Sequence, residues 1–153
     1  MQSSTHRILK DRKFLIISAH ASKEAAIFII EEGKHTLQYP GGLFTLTEQS
    51  AVSVHADEGP HTAMIDVREI EYPMLLRKWK TGDYFYPLGM KKKKKLSRFF
   101  IDNKLSVLQK EQVWVLESNK RIVWLVGLRI DDRFKILPST TTALKLRLSP
   151  FAR

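Results

Sequence analysis

Short apolar segments rich in β-branched residues recur along the chain and predict a protein built mainly of β-strands. The segment at residues 122–128 contains no charged residue, as expected of a strand that is buried on both faces. Near the C-terminus, Leu144, Leu146 and Leu148 alternate with basic residues, which is the period of a half-buried strand. The other predicted strands cover residues 13–18, 26–30, 43–47, 52–55, 63–70, 74–79 and 113–117.

Two turn sequences separate predicted strands. Tyr39-Pro40-Gly41-Gly42 predicts a turn, because proline presets φ at the first corner and glycine accepts the positive φ that follows. Asn119-Lys120 predicts a hairpin between the strands at 113–117 and 122–128.

One amphipathic helix is predicted at residues 93–103. On its polar face, Arg98 and Asp102 lie four residues apart and can form an ion pair. We expect Phe99 and Phe100, on the apolar face, to pack the helix onto the sheet instead of stacking on nucleobases. The apolar face consists of Leu96, Phe99 and Phe100. The residues expected in the core beside it are Trp124, Leu125 and Val126.

The positive charge of the chain is concentrated in one segment. The 153 residues carry a formal net charge of +10. Residues 77–110 contain 11 Lys and Arg against 2 Asp and Glu, whereas residues 1–76 contain 7 against 10. A field focused in this way attracts a polyanion more strongly than the same charge spread evenly, as on a generally basic, solvated surface. The change in composition predicts an N-terminal β-rich lobe, 1–75, and a basic C-terminal lobe, 76–153, or one continuous domain.

Composition also limits the cellular setting. The chain has no cysteine, which excludes disulfides and thiolate metal sites and favours a reducing compartment. It contains no run of about 18 apolar residues and no signal-peptide pattern at its N-terminus. We therefore expect a cytoplasmic protein without a membrane partner.

No catalytic motif is visible. Gly-rich phosphate loops, the G-x-S-x-G elbow and H-E-x-x-H are all missing from the sequence, and the five histidines lack metal-ligand spacing. Asp131 and Asp132 are adjacent, but neighbours on a strand point to opposite faces and cannot share a proton. Asp131 lies two residues from both Arg129 and Arg133, which favours a structural ion-pair row. We therefore expect no catalytic residue, no metal and no cofactor in this chain.

Five lysines, at residues 91–95, lead directly into the predicted helix. Cations at a helix N-terminus are unfavourable by ~0.3–1 kcal/mol each, so this placement favours a functional role over one in stability. Together with free backbone N–H groups, these lysines would form a strong phosphate-binding corner. A solvated charge run and a nuclear localisation signal are the alternatives.

The ordered motifs between residues 76 and 136 resemble one known family. Three stretches match its pattern R-x-W/R-x-x-G-D-x-F-x-P-x-G, then K-K-L-S-D-F-F, then I-V-W-V-x-G-x-R-I-D-x-R-F-K. The matching residues are Arg77, Trp79, Gly82, Asp83, Phe85, Pro87, Gly89, Lys94, Lys95, Leu96, Ser97, Phe99, Phe100, Trp124, Gly127, Arg129, Ile130, Asp131, Arg133, Phe134 and Lys135. This region is similar to the C-terminal domain of tRNA(Ile)-lysidine synthetases. The departures are Lys92 for Gly, Arg98 for Asp, Lys110 for Arg and Trp114 for Pro.

The resemblance implies an α+β fold that is β-rich, with a sandwich-like core related to a module of phenylalanyl-tRNA synthetase. It also implies that this chain grips the acceptor stem of a minor isoleucine tRNA. In the parent enzyme, a bacterial ATP-dependent carbon–nitrogen ligase, an N-terminal domain of the same polypeptide uses ATP and Mg to adenylate the wobble cytidine. Free lysine then attacks and gives lysidine. The family's S-G-G-x-D-S loop is not in this sequence, so we expect a C-terminal piece of that enzyme.

Candidate RNA contacts follow from the charge and from the resemblance. The principal set is Lys91, Lys92, Lys93, Lys94, Lys95 and Arg98, and the secondary set is Arg129, Arg133 and Lys135. The further candidates are Arg77, Lys80, Lys104 and Lys110. The alternatives are a free-standing RNA-binding module without ligase activity and a protein-interaction domain that uses the acidic N-terminal half. The candidate contacts of that domain are Glu31, Glu32, Glu48, Asp57 and Glu58.

Overall fold

Strands dominate the computed structural model, which describes residues 6–11, 14–19, 26–53 and 58–151. The strands are β1 His6–Asp11, β2 Phe14–Ala19, β3 Ile27–Ile30, β4 Thr36–Tyr39, β5 Gly42–Ser50, β6 Thr62–Asp66, β7 Met74–Lys78, β8 Tyr84–Phe85, β9 Lys94–Lys95, β10 Trp114–Ser118, β11 Arg121–Leu125, β12 Arg129–Ile130 and β13 Thr142–Ser149. The helices are α1 Leu96–Asp102 and α2 Val107–Glu111, with single 3-10 turns at Ala51–Ser53, Val67–Glu69 and Asp132–Phe134. The predicted β-rich α+β class is confirmed.

Two antiparallel sheets form the body of the described chain. One has the strand order β12-β11-β10-β7-β3, and the other has the order β4-β5-β13-β6. The last strand, β13, lies between β5 and β6, while β3 pairs with β7 and β7 with β10. Strands from both sides of residue 75 therefore share hydrogen bonds in both sheets, and they also share one core.

Aromatic side chains join the two sheets. Trp114 of the five-stranded sheet meets Tyr39 of the four-stranded sheet edge-on, with ring centroids 5.0 Å apart. Phe44 and Trp124 make a second contact across the sheets, at 5.8 Å. Burial raises the pKa of the Tyr39 hydroxyl. The arrangement is the sandwich-like core that the resemblance implied.

Helix α1 covers the other face of the five-stranded sheet. Leu96, Phe99 and Phe100 of α1 are buried against a cluster that includes Val115 and Leu125. The sheet is thus buried on both faces, which explains the charge-free stretch around β11. The predicted core positions of Trp124, Leu125, Phe99 and Phe100 are confirmed, while Val126 is partly buried at the edge of the core.

The two predicted turns are present. Asn119 and Lys120 both have positive φ, 49° and 64°, and connect β10 to β11 as a two-residue hairpin. The β4–β5 hairpin turns at residues 40–41. Its positive φ falls at Gly42, where a Cβ would lie 2.4 Å from the Ser149 carbonyl oxygen. A close backbone approach, as well as the turn, requires glycine at this position.

Four predicted segments differ from the structure. The strand predicted at 122–128 ends at Leu125, and residues 126–128 form a turn. The helix predicted at 93–103 begins at Leu96, because Lys94–Lys95 form a strand with Tyr84–Phe85. The strand predicted at 63–70 ends at Asp66 and continues as a 3-10 turn. The strand predicted at 52–55 is wrong at residues 52–53, which form part of a 3-10 turn, and residues 54–57 lie outside the described part.

Helix α2 was not predicted, although it has a local signal. The Ser106 side chain accepts a hydrogen bond from the Gln109 amide, and the Gln109 side chain accepts one from the Ser106 amide. This capping box satisfies two amides at the helix start. None of the five residues of α2 is buried, so no apolar periodicity marks the helix.

Asp66 ties the end of β6 to the loop before β13 and gives the fold an expected dependence on pH. Its buried carboxylate accepts hydrogen bonds from Arg68 Nη2 at 2.7 Å and from Thr140 Oγ1 at 2.7 Å. Mainly because of the Arg68 hydrogen bonds, the pKa of Asp66 is lowered to about 2.

Because the folded pKa lies below the unfolded value, this stabilisation is fully present above about pH 4 and is lost as the pH falls towards 2. Since Arg68 is half exposed, we expect a contribution of about 1–2 kcal/mol. Urea unfolding between pH 6 and pH 2.5 measures it. The free energy of unfolding of Asp66→Asn should start lower and fall less steeply than that of the wild type. Parallel curves for the two proteins would contradict the assignment.

Candidate nucleic-acid interface

The lysine run lies in the connection between β8 and α1. Lys95 is the residue before the helix, and it pairs with Tyr84 across the small β8–β9 sheet. The Leu96 amide donates to the Asp83 carbonyl oxygen at 3.0 Å, so the first amide of the helix is already bonded within the protein. The expected phosphate corner of lysines with free helix amides is corrected accordingly, because the lysines precede the helix and form an extended basic segment.

Most of these lysines are available to a ligand. Lys91, Lys92, Lys93 and Lys95 are exposed, and among the residues that the structure describes no carboxylate lies within 4 Å of their ammonium groups. Lys94 is the exception, because its ammonium binds Asp102. Mainly through this contact, the pKa of the Asp102 carboxyl is lowered.

Arg98 confirms the ion pair predicted on the polar face of α1. Its Nε lies 3.3 Å from Asp102 Oδ1, and the guanidinium stays largely exposed. Asp102 therefore holds both Lys94 and Arg98 on the same side of the helix. An exposed pair of this kind contributes little to stability, so Arg98 can exchange its partner for a phosphate.

The secondary set lies next to this segment. Arg133 Nη2 bonds the buried Asp131 carboxylate at 2.9 Å, and Lys135 pairs with Asp132 at 3.1 Å. The Tyr86 amide also donates to Asp131 at 2.9 Å, which fixes the segment before the lysines against the 3-10 turn. The predicted ion-pair row is thus present at Asp131 and Arg133.

Arg129 differs from that prediction, because its guanidinium lies 5.4 Å from the centroid of the Phe99 ring of α1. Its side chain is exposed there. Lys91, from the lysine run, is close enough to Asp132 to help lower the pKa of that carboxyl, whose main partner is the Gly89 amide. The principal and secondary sets therefore adjoin on one surface, which we call the basic face: residues 91–95, Arg98, Arg129, Arg133 and Lys135.

Arg77 is corrected from an RNA contact to a structural residue. Its side chain is only 10% exposed, and its guanidinium donates to Asp83 Oδ1 and Oδ2 at 3.1 and 3.0 Å and to Glu117 Oε1 at 2.8 Å. A third acceptor is the Lys78 carbonyl oxygen at 3.0 Å. The Arg77 guanidinium thus has its hydrogen-bond partners inside the protein, on β7, on β10 and at the turn that contains Asp83.

We expect Arg77→Lys to lower the free energy of unfolding by about 1–3 kcal/mol, because a single ammonium cannot bond both carboxylates with the same geometry. Affinity for tRNA should stay within about twofold of the wild type. The matched control is Arg98→Lys, which alters an exposed pair and should change stability by less than about 0.5 kcal/mol. Urea unfolding and a tRNA titration test this. If Arg77→Lys kept the wild-type stability but lost affinity for RNA, Arg77 would be an RNA contact after all.

The remaining candidates, Lys80, Lys104 and Lys110, lie around the two helices. Lys80 and Lys110 border a groove of about 670 Å³ between α1 and α2, whose floor includes Trp79. The groove is largely apolar, since Ile101 and Leu108 line it and are more than half exposed. Lys104 follows α1 with a positive φ of 58° and is exposed. None of the three belongs to the basic face.

Sequence reasoning missed two cations at the tip of the β10–β11 hairpin. Lys120 and Arg121 line a small cleft of about 90 Å³ together with Tyr84 and Arg133. A signal for Tyr84 was present, because it alternates with the buried Phe85 and must therefore point away from the core. No local signal places the hairpin beside β8, since that neighbourhood depends on the fold.

The described residues also bear on metal binding, on membrane crossing and on the acidic candidate contacts. In that part of the chain, no group of three or more His, Asp or Glu side chains could hold a metal ion. Among the described helices, none has the length and apolarity needed to cross a membrane. Of the acidic candidates, Glu31, Glu32 and Glu48 are exposed, Glu58 pairs with Lys145 at 2.9 Å, and Asp57 lies outside the described residues.

A family model and curated relatives both match this chain, and they agree on one group of proteins. The family described as the TilS substrate C-terminal domain matches residues 74–148. A tRNA(Ile)-lysidine synthase of Parabacteroides distasonis is 40% identical over 142 residues, covering 93% of this chain and 32% of the relative. One from Bacteroides thetaiotaomicron is 35% identical over 138 residues, covering 90% and 30%. The chain thus spans about a third of the length of these curated relatives.

A solved structure supports the fold. The crystal structure of a TilS C-terminal domain superposes with a TM-score of 0.65 at 18% identity, covering 83% of this chain and 99% of that one. At this identity the likeness concerns the fold.

Proposed function

This chain belongs to the TilS substrate C-terminal domain family, and from that premise we propose that it is the RNA-binding part of a tRNA(Ile)-lysidine synthase. In this proposal it holds the acceptor stem of a minor isoleucine tRNA. An N-terminal domain of the same polypeptide, with ATP and Mg, would convert the wobble cytidine of that tRNA to lysidine. In this proposal the chain acts in the cytoplasm.

The observation that supports RNA binding best is the set of exposed lysines without an ion-pair partner among the described residues: Lys91, Lys92, Lys93 and Lys95. Four cations left unpaired on one short segment repel one another, and a polyanion relieves that repulsion. An RNA stem fits, because A-form duplexes present phosphates and 2′-hydroxyls across a shallow minor groove and are recognised mostly by shape and not by sequence. Phosphate contacts of this kind fix the position of the RNA on the protein.

The rigid support of the segment matters for such a role. Lys94–Lys95 are held by β8, and the residues before them are fixed by Asp131 and Asp132 through the amides of Tyr86 and Gly89. A cation on a fixed backbone loses less conformational freedom on binding than one on a mobile tail. The Asp131 and Asp132 carboxylates beside the basic face thus orient it, and we assign them no catalytic role.

Hydroxyl-radical footprinting of a minor isoleucine tRNA, bound to this chain in about 0.1 M salt, tests the proposal. Protection is expected along the acceptor stem and to be lost at high salt, because released counterions drive phosphate binding. A tRNA of unrelated sequence should show the same protected stem, since phosphate contacts carry no sequence information. Protection confined to the anticodon arm, or none at any salt concentration, would contradict the proposal.

A further inference from the structure

Tyr84 is an exposed aromatic ring within a cluster of cations. Its side chain is 44% exposed. The Lys93 ammonium lies 4.7 Å from the centroid of the Tyr84 ring, and the Tyr86 ring meets Tyr84 edge-on at 6.4 Å. The Arg133 guanidinium in turn lies 4.3 Å from the centroid of the Tyr86 ring. The two tyrosines are therefore neighbours on the surface around β8, with one cation at each end of the pair.

The Tyr84 ring is not required for packing. Phe85, its neighbour in β8, is fully buried, and the alternation of a strand directs Tyr84 to the opposite side. One face of the exposed ring carries the Lys93 ammonium, as its electron-rich character favours, and this flexible cation is the group that a ligand would displace from that face.

The cleft beside Tyr84 adds positive charge from a distant part of the chain. Lys120, Arg121 and Arg133 line it. The Asp83 carboxylate also lines it, but both of its oxygens bond Arg77. Glu69 lies 3.8 Å from Arg121, a loose pair that leaves the cleft cationic.

We propose that Tyr84 stacks on an unpaired nucleobase. Lys93 would bind the adjoining phosphate on one side of this base, and the cations that line the cleft beside Tyr84 would bind the phosphate on the other side. This inference rests on the proposed RNA-binding function and extends it. Within a duplex the bases are stacked on each other and cannot reach a protein ring, so the ligand is a nucleotide outside the pairing. Aromatic stacking beside a basic groove is the usual way in which such nucleotides are bound.

The position fits an unpaired strand that leaves the end of a duplex. Lys95 lies directly across from Tyr84 in the β8–β9 pair, so the exposed lysines and the ring share one edge of the surface. A duplex whose phosphates lie on the lysines would place its unpaired continuation next to Tyr84. Lys93 has a long, exposed side chain and can move from the ring to a phosphate when a base takes its place.

Two RNA hairpins of identical stem test the inference, one blunt and one with four unpaired nucleotides at its 3′ end. The wild-type chain should bind the overhang about tenfold more tightly, the size expected of one stacked base. Tyr84→Phe should keep this preference. Tyr84→Leu, which retains bulk and folds as the wild type does in a thermal melt, should lose it while binding the blunt hairpin within about twofold. The control Phe151→Ala removes another exposed ring and should keep the preference.

A direct signal comes from 2-aminopurine at the first unpaired position, whose fluorescence stacking quenches. Quenching by the wild type and by Tyr84→Phe, and none by Tyr84→Leu, supports the inference. Equal affinity of the wild type for both hairpins, or a preference that Tyr84→Leu retains, overturns the stacking site while RNA binding stands. Failure of the wild type to bind either hairpin overturns the proposed function itself.

Discussion

Replacing Phe100 by alanine is expected to lower the free energy of unfolding by about 3–5 kcal/mol, the largest loss of stability that we predict for a single substitution in this chain. The Phe100 ring is fully buried beneath α1. It meets the Trp79 ring edge-on at 4.9 Å and the Phe99 ring at 6.3 Å. Alanine would leave a cavity between the helix and the sheet that these rigid neighbours cannot fill.

The same helix supplies a matched control. Ile101, the next residue, is 60% exposed, and Ile101→Ala should change stability by less than about 0.5 kcal/mol. Urea unfolding followed by tryptophan fluorescence measures both variants. At a temperature where Phe100→Ala is still folded, its affinity for tRNA should equal that of the wild type. Unchanged stability with lost RNA binding would instead mean that Phe100 contacts RNA.

The sequence predicted the buried half of this structure better than its surface. Phe99, Phe100 and Trp124 were assigned to the core because apolar periodicity follows directly from burial. Asn119-Lys120 was read as a hairpin turn, which depends only on local backbone preferences. Periodicity and turn residues carry their information within a few positions, so one sequence is sufficient to read them.

Contacts between distant segments could not be read in this way. The helix start was misplaced because Lys94–Lys95 bond to Tyr84–Phe85, ten residues earlier in the chain. Arg77 looked like one more surface cation, since nothing near it in sequence shows that Glu117 and Asp83 would enclose its guanidinium. Lys120 was not predicted as a candidate for the same reason, because it lies beside Tyr84 only after β10 and β11 have paired.

The lysine run is expected to supply the largest part of the affinity for RNA. Replacing all five lysines, residues 91–95, by glutamine should reduce the slope of log affinity against log salt by about two to three, close to one for each lost phosphate contact. Fewer than five contacts are expected, because consecutive side chains diverge and Lys94 is already bound to Asp102. At low salt, a change of this size corresponds to a loss of affinity on the order of a hundredfold or more.

The substitution should weaken binding to cognate and non-cognate tRNA alike, because phosphates position the RNA and do not specify its sequence. Folding should be unchanged or slightly improved, since like charges before α1 are removed and Arg98 still pairs with Asp102. A control with two cations removed elsewhere, Lys34→Gln with Arg147→Gln, should leave the slope within about half a unit. The measurement is tRNA affinity across a salt series, with thermal melts of all three proteins. If the five-glutamine protein kept the wild-type affinity and slope, the run would be only solvated surface, and the RNA would have to bind elsewhere on the domain.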